Sequence, residues 1–101
     1  MKRRMKKMAE ENVYKAEKRI DIKTAPKFSE DLKAFADKGI YDLVVDMAET
    51  VYISSVGLRA LLTMQKEVNK HGGVMLIRNV SETVRSVFDV TGFSGLLTLE
   101  D

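Results

Sequence analysis

The chain has 101 residues, 45% hydrophobic and 32% charged, with a net charge of +2, one histidine and no cysteine. One domain with a modest core is expected, and disulfides, thiolate metal sites and cysteine nucleophiles are excluded. No run approaches the ~20 apolar residues of a membrane span and no secretory signal pattern follows the charged start, so a cytoplasmic protein is expected.

The first stretch, MKRRMKK, carries five basic residues and no acid. It reads either as a solvated tail or leader, or as a strip that grips nucleic acid or an anionic membrane. It lacks the aromatic platforms or recognition helix that nucleic-acid binding needs, so neither nucleic acid nor membrane is the expected partner. Residues 1–11 are set apart as a basic N-terminal segment.

The stretch ENVYKAEKRIDI, residues 11–22, predicts a strand with imperfect alternation of Val13, Ala16, Ile20 and Ile22. A helix over 24–39 follows, with Thr24 as its cap, Pro26 in the first turn and Gly39 at the exit. Phe28, Leu32 and Phe35 fall on one stripe of it. YDLVVDM, residues 41–47, is a short β-branched run typical of a buried strand. The longest helix signal runs over 54–73, with Leu58, Leu61, Leu62, Met64 and Val68 turned inward. VMLIRN (74–79) is a second buried strand, and SETVRSVFDVTG (81–92) a shorter helix capped by Ser81. LLTLE (96–100) is a last strand. The order β-α-β-α-β-α-β predicts an α/β domain with a mostly parallel sheet and helices packed on it.

Catalytic chemistry finds little support. His71 is the only histidine, and a helix rise of about 1.5 Å per residue separates it from Ser54 and Ser55 by about 25 Å. Direct proton transfer between them is excluded. No spacing of acids matches a metal-ligand set, no Gly-rich phosphate loop is present, and no cofactor is expected. The chain is not expected to be an enzyme.

The informative stretch is VYISSVGL, residues 51–58, where a strand hands over to the long helix. One serine suffices to cap a helix whose first N–H groups lack partners. A second can point outward, and phosphorylating it adds roughly −1.5 to −2 charges that a helix N-terminus tolerates. Plain capping and a switch that alters binding without unfolding are both consistent with the spacing. Gly57 permits either close approach of a partner or tight packing against a strand. On the first reading, Gly57→Arg blocks docking with little loss of stability. Asp21, Asp46 and Glu49 lie at or past strand ends, as ordinary loop acids or as functional groups beside the helix start.

Three blocks, RIDIKTAP, YDLVVDMAETVYISSVGLRALL and VRSVFDVTGFSGLLTLED, resemble successive parts of the STAS domain, and more narrowly the bacterial anti-sigma-factor antagonists. The resemblance assigns residues 12–101 to that domain and implies a STAS-like fold: a mixed, mostly parallel, four- to five-stranded sheet packed with helices. It implies a protein that binds an anti-sigma factor, usually a serine-protein kinase, and so releases a sigma factor. The kinase phosphorylates a serine at this helix start and a PP2C-type phosphatase restores it. Aligned on the family pattern, Ser55 falls at the modified serine, Ser54 at an acid of the family, and Gly57 at its glycine. Ser55 is the expected phosphosite, with Ser54 the alternative. Asp21, Thr24, Asp46, Ser54, Ser55, Val56, Gly57 and Arg59 are the expected partner-binding residues. The usual first strand looks shortened or replaced by the basic segment, and an open sheet edge would permit a homodimer. Two other readings keep the same helix start: a STAS subunit of a lipid-transport or stressosome-like assembly, and a small nucleotide-binding protein using the Ser55 end as a phosphate site.

Overall fold

The computed structural model describes residues 12–100; the basic segment lies outside them. The elements are β1 (Val13–Lys15), β2 (Arg19–Ile20), α1 (Ala25–Asp37), β3 (Asp42–Asp46), β4 (Tyr52–Ile53), α2 (Ser55–Lys70), β5 (Val74–Arg78), α3 (Glu82–Thr91), a 3-10 turn (Phe93–Gly95) and β6 (Thr98–Leu99). The strand expected over 11–22 is two short strands in different sheets. After Ala16 donates its N–H to Asp46 at 2.9 Å, the exposed charged pair Glu17–Lys18 leaves the main sheet. The Lys18 carbonyl then accepts from Val51, which starts the second pairing.

The main sheet has four strands in the order β1-β3-β5-β6, and every pairing among the described residues is parallel. Parallel neighbours require crossovers, which the three helices supply. Leu43, Val44 and Val45 of β3 are buried in succession, as in a strand covered on both faces. Helices α1 and α2 pack side by side. Over β1, the Tyr14 ring lies 5.9 Å from Phe28 and 6.5 Å from Phe35. Val84 and Phe88 of α3 are fully buried, and Ser81 caps that helix by accepting from the Val84 N–H at 3.2 Å. Gly92, at φ 81°, takes the left-handed turn that ends it.

The small second sheet positions the site. β2 pairs in parallel with β4, with Arg19 opposite Tyr52 and Ile20 opposite Ile53. The Arg19 guanidinium sits 4.6 Å over the Tyr52 ring, a cation–π contact across the pair. Buried Thr50 donates its hydroxyl to the Glu17 carbonyl at 2.8 Å, fixing the loop that enters β4.

Candidate functional site

The start of α2 is anchored by backbone. Ser54 donates its N–H to the Ile20 carbonyl at 2.8 Å, continuing the β2–β4 ladder by one residue. Ser54 then turns the chain into the helix with an extended backbone (φ −84°, ψ 171°), and its Oγ accepts the Gly57 N–H at 3.2 Å. One serine therefore does the capping. Ser55, the first helical residue, is exposed, and among the described residues its hydroxyl makes no hydrogen bond. It lies among the orphan N–H groups at the positive end of a 16-residue helix whose first turn holds no acid.

Gly57 is buried, not presented outward. A Cβ there would meet Ile20 Cγ2 at 2.7 Å and Ile53 Cγ1 at 2.8 Å. The glycine lets α2 seat on the β2–β4 pair, so of its two readings from the spacing the structure shows packing against a strand.

The β2–α1 turn lies alongside. Asp21 Oδ1 accepts from the Lys23 N–H at 3.0 Å and the Thr24 N–H at 3.1 Å. The Thr24 hydroxyl accepts from the Asp21 N–H at 2.9 Å and donates to the Arg19 carbonyl at 2.8 Å. Thr24 stands at the cap position of α1, but its side chain faces back to Asp21 and bonds none of the helix N–H groups, contrary to the expected role. Backbone donation by Thr24 and Lys23, with Arg19 nearby, holds the Asp21 carboxyl below its ordinary value, so it is an anion at neutral pH.

Asp21 and Thr24 thus adjoin the Ser54 end of α2 through the Ile20–Ser54 bond. Asp46 is engaged elsewhere: its Oδ1 accepts from the Ala48 N–H at 3.0 Å and from Asn79 at 3.1 Å. Val56 is 41% exposed beside Ser55. With exposed Arg59 it borders a cleft of about 280 Å³ between α2 and the start of α1 at Pro26. Ile22, 74% exposed in the β2–α1 turn, is a candidate contact that the strand pattern concealed. An apolar residue in a turn fastened by Asp21 is the signal that could have exposed it.

No carboxylate or imidazole bonds the Ser55 hydroxyl, so nothing within the described residues activates it as a nucleophile. His71 follows the far end of α2, stacked on Tyr41 with ring centroids 3.9 Å apart. Among the described residues no group of His, Asp and Glu is arranged to hold a metal ion, and no helix is long and apolar enough to cross a membrane. What the arrangement offers is an accessible hydroxyl at the N-terminus of α2, with exposed apolar residues in the same helix turn (Val56) and in the β2–α1 turn (Ile22).

A family model described as STAS domain matches residues 4–101. The anti-sigma-B factor antagonist of Bacillus subtilis is 32% identical over 80 residues, covering 79% of this chain and 72% of that protein. The crystal structure of the Thermotoga maritima protein TM1081 superposes with a TM-score of 0.79 at 20% identity, covering 88% of this chain and 79% of that one. The Bacillus cell fate determinant SpoIIAA in its phosphorylated form superposes with a TM-score of 0.68 at 17% identity, covering 88% and 81%. The two structures bear on the fold alone.

Proposed function

The chain belongs to the STAS domain family, and from that premise we propose that it is an anti-sigma-factor antagonist whose docking face is switched off by phosphorylation of Ser55. The observation that carries the reading is the division of labour between adjacent serines: Ser54 caps α2, while Ser55 is exposed and uncommitted. The name of the Bacillus subtilis relative agrees with it.

The partner is an anti-sigma factor with serine-protein kinase activity. It docks on the rim formed by Asp21, Ile22, Thr24, Ser54, Ser55, Val56 and Arg59, with Asp46 at the periphery. The bound kinase brings ATP. A bond forms from Ser55 Oγ to the γ-phosphorus, the bond to the bridging oxygen breaks, and the hydroxyl proton passes to a base of the kinase. The new anion sits where helix N–H groups and the dipole favour it, so the fold persists. The partner then meets bulk and negative charge beside Val56 and Arg59, and releases. A PP2C-type phosphatase reverses the step by hydrolysis.

Intact-mass analysis after mixing the protein with its cognate anti-sigma kinase and ATP tests this. One added phosphate, mapped to Ser55 and absent from Ser55→Ala, is expected. No addition, or a phosphate on another residue that Ser55→Ala leaves in place, overturns the assignment.

A further inference from the structure

Ser55 and Arg59 stand one turn apart on α2, at positions i and i+4. Such residues are neighbours on a helix surface, with Cβ atoms about 5–6 Å apart. Helical side chains lean toward the N-terminus, so a long side chain at 59 covers the turn that carries Ser55. From Ser55 to Gln65, Arg59 is the only charged residue. The nearer neighbours offer no charge: Val56 is apolar, and Leu58 is apolar and buried. Arg59 is exposed, and among the described residues its guanidinium has no ion pair or hydrogen bond.

The other charged groups near this rim are placed differently. Arg19 stacks 4.6 Å over the Tyr52 ring and lies 3.9 Å from the Asp21 carboxylate. Lys23 is exposed in the β2–α1 turn, where its backbone N–H bonds Asp21. Arg59 alone combines an uncommitted guanidinium with a fixed place on the helix of Ser55.

We propose that Arg59 is the internal counter-ion of phosphorylated Ser55. This rests on the Ser55 reading above. Phosphate and guanidinium form a bidentate pair across one helical turn. The anion stands N-terminal to the cation, the favourable order for an i,i+4 pair and the one the helix dipole supports.

The pairing gives the switch a second arm. Arg59 borders the cleft of about 280 Å³ that reaches Ala25 and Pro26 on α1. While Ser55 is unmodified, the guanidinium is available there to an acidic group of the partner. Once Ser55 carries a phosphate, the guanidinium is drawn to it and withheld from the partner. Phosphorylation thus adds an anion to the docking face and also removes a cation from it.

Phosphoserine placed at residue 55 during translation tests the pairing without a kinase. The second ionisation of the phosphate, ordinarily near a pH of about 6, is followed by phosphorus NMR on the full chain. A neighbouring cation favours the dianion, so the parent should titrate lower than Arg59→Gln by about half a unit or more. Arg59→Lys should recover part of that difference, because it keeps the charge and loses the planar fork. Salt at 1 M should shrink it, as the screening length falls from about 10 Å at 0.1 M to about 3 Å. Equal titration of the parent and Arg59→Gln proteins would overturn the proposal. So would a larger rise from Lys23→Gln or Arg19→Gln, which would assign the counter-ion to the neighbouring turn or strand. Failure of the kinase to modify Ser55 counts against the proposed function, whereas a phosphate indifferent to Arg59 counts against the pairing alone.

Discussion

A Cβ placed on Gly57 would lie 2.7 Å from Cγ2 of Ile20, so α2 can approach β2 this closely only where the helix carries no side chain. The methyl it would strike belongs to a β-branched residue that is 1% exposed and held in the β2–β4 pair, and it has little room to turn away. Gly57→Ala is therefore expected to lose stability, although alanine is the better helix former. Overpacking costs about 1–3 kcal/mol and the propensity gain returns at most about 1 kcal/mol, leaving a net loss of up to about 2 kcal/mol by urea unfolding. Gly57→Arg should unfold the α2 start outright, which a loss of helix signal by circular dichroism would register. A gain in stability for Gly57→Ala, or unchanged stability for Gly57→Arg, would contradict this packing.

The two serines should separate cleanly in stability measurements. Ser54→Ala removes the acceptor of the Gly57 N–H and should cost about 1 kcal/mol, within the usual 0.5–2 for an N-cap. Ser55→Ala removes a hydroxyl without a partner and should change stability by no more than about 0.5 kcal/mol. The reverse order would show that the cap has been assigned to the wrong residue.

That one serine caps α2 while its neighbour can point outward was legible in sequence because capping is local; which serine does which rested on the resemblance, and the Ser54 cap is seen only in the structure. Other features depended on partners far along the chain. Nothing near Ala16 announces that the strand breaks there; the break follows from Val51 pairing with Lys18, 33 positions away in sequence. Thr24 matched the rule for a cap, yet its hydroxyl is taken by Asp21 and Arg19, an alternative that local composition does not exclude. On α2 the expected inward stripe placed Leu62 in the core. Instead Leu62 is half-buried, while Gln65 is buried with its amide bonded to Asn69 at 3.0 Å. The proximity of Asp21 to the α2 start comes from the β2–β4 pairing, which two-residue strands do not reveal by pattern.

Ser55→Asp tests the switch without a kinase. A carboxylate in the first turn of α2 faces N–H groups without intrahelical partners, so the fold should be kept and tightened by about 0.3–1 kcal/mol. Binding to the anti-sigma factor should weaken by about tenfold or more, equivalent to about 1.4 kcal/mol, measured by titration calorimetry. Equal affinity for the Ser55→Asp and parent proteins would remove the electrostatic basis of the proposed switch.

Tyr14 predicts an alkaline limit to stability. Its hydroxyl donates to Asp31 Oδ2 at 2.8 Å, and the same carboxylate oxygen accepts from Lys27 at 2.7 Å. Partial burial, then the hydrogen bond and charge of Asp31, push the Tyr14 phenol well above its ordinary value near 10. Because the folded state holds this proton more tightly than the unfolded chain, the contribution is fully present below pH of about 10 and is lost as pH rises toward the folded value. Lys27, raised mainly by its bond to Asp31, contributes with the same sign. Tyr14→Phe keeps Lys27 and removes only the phenol. It should cost about 1 kcal/mol at neutral pH and flatten the fall in stability between pH 9 and 11, followed by thermal unfolding. Parallel alkaline profiles for the two proteins would show that the Tyr14–Asp31 bond does not tie β1 to α1 in solution.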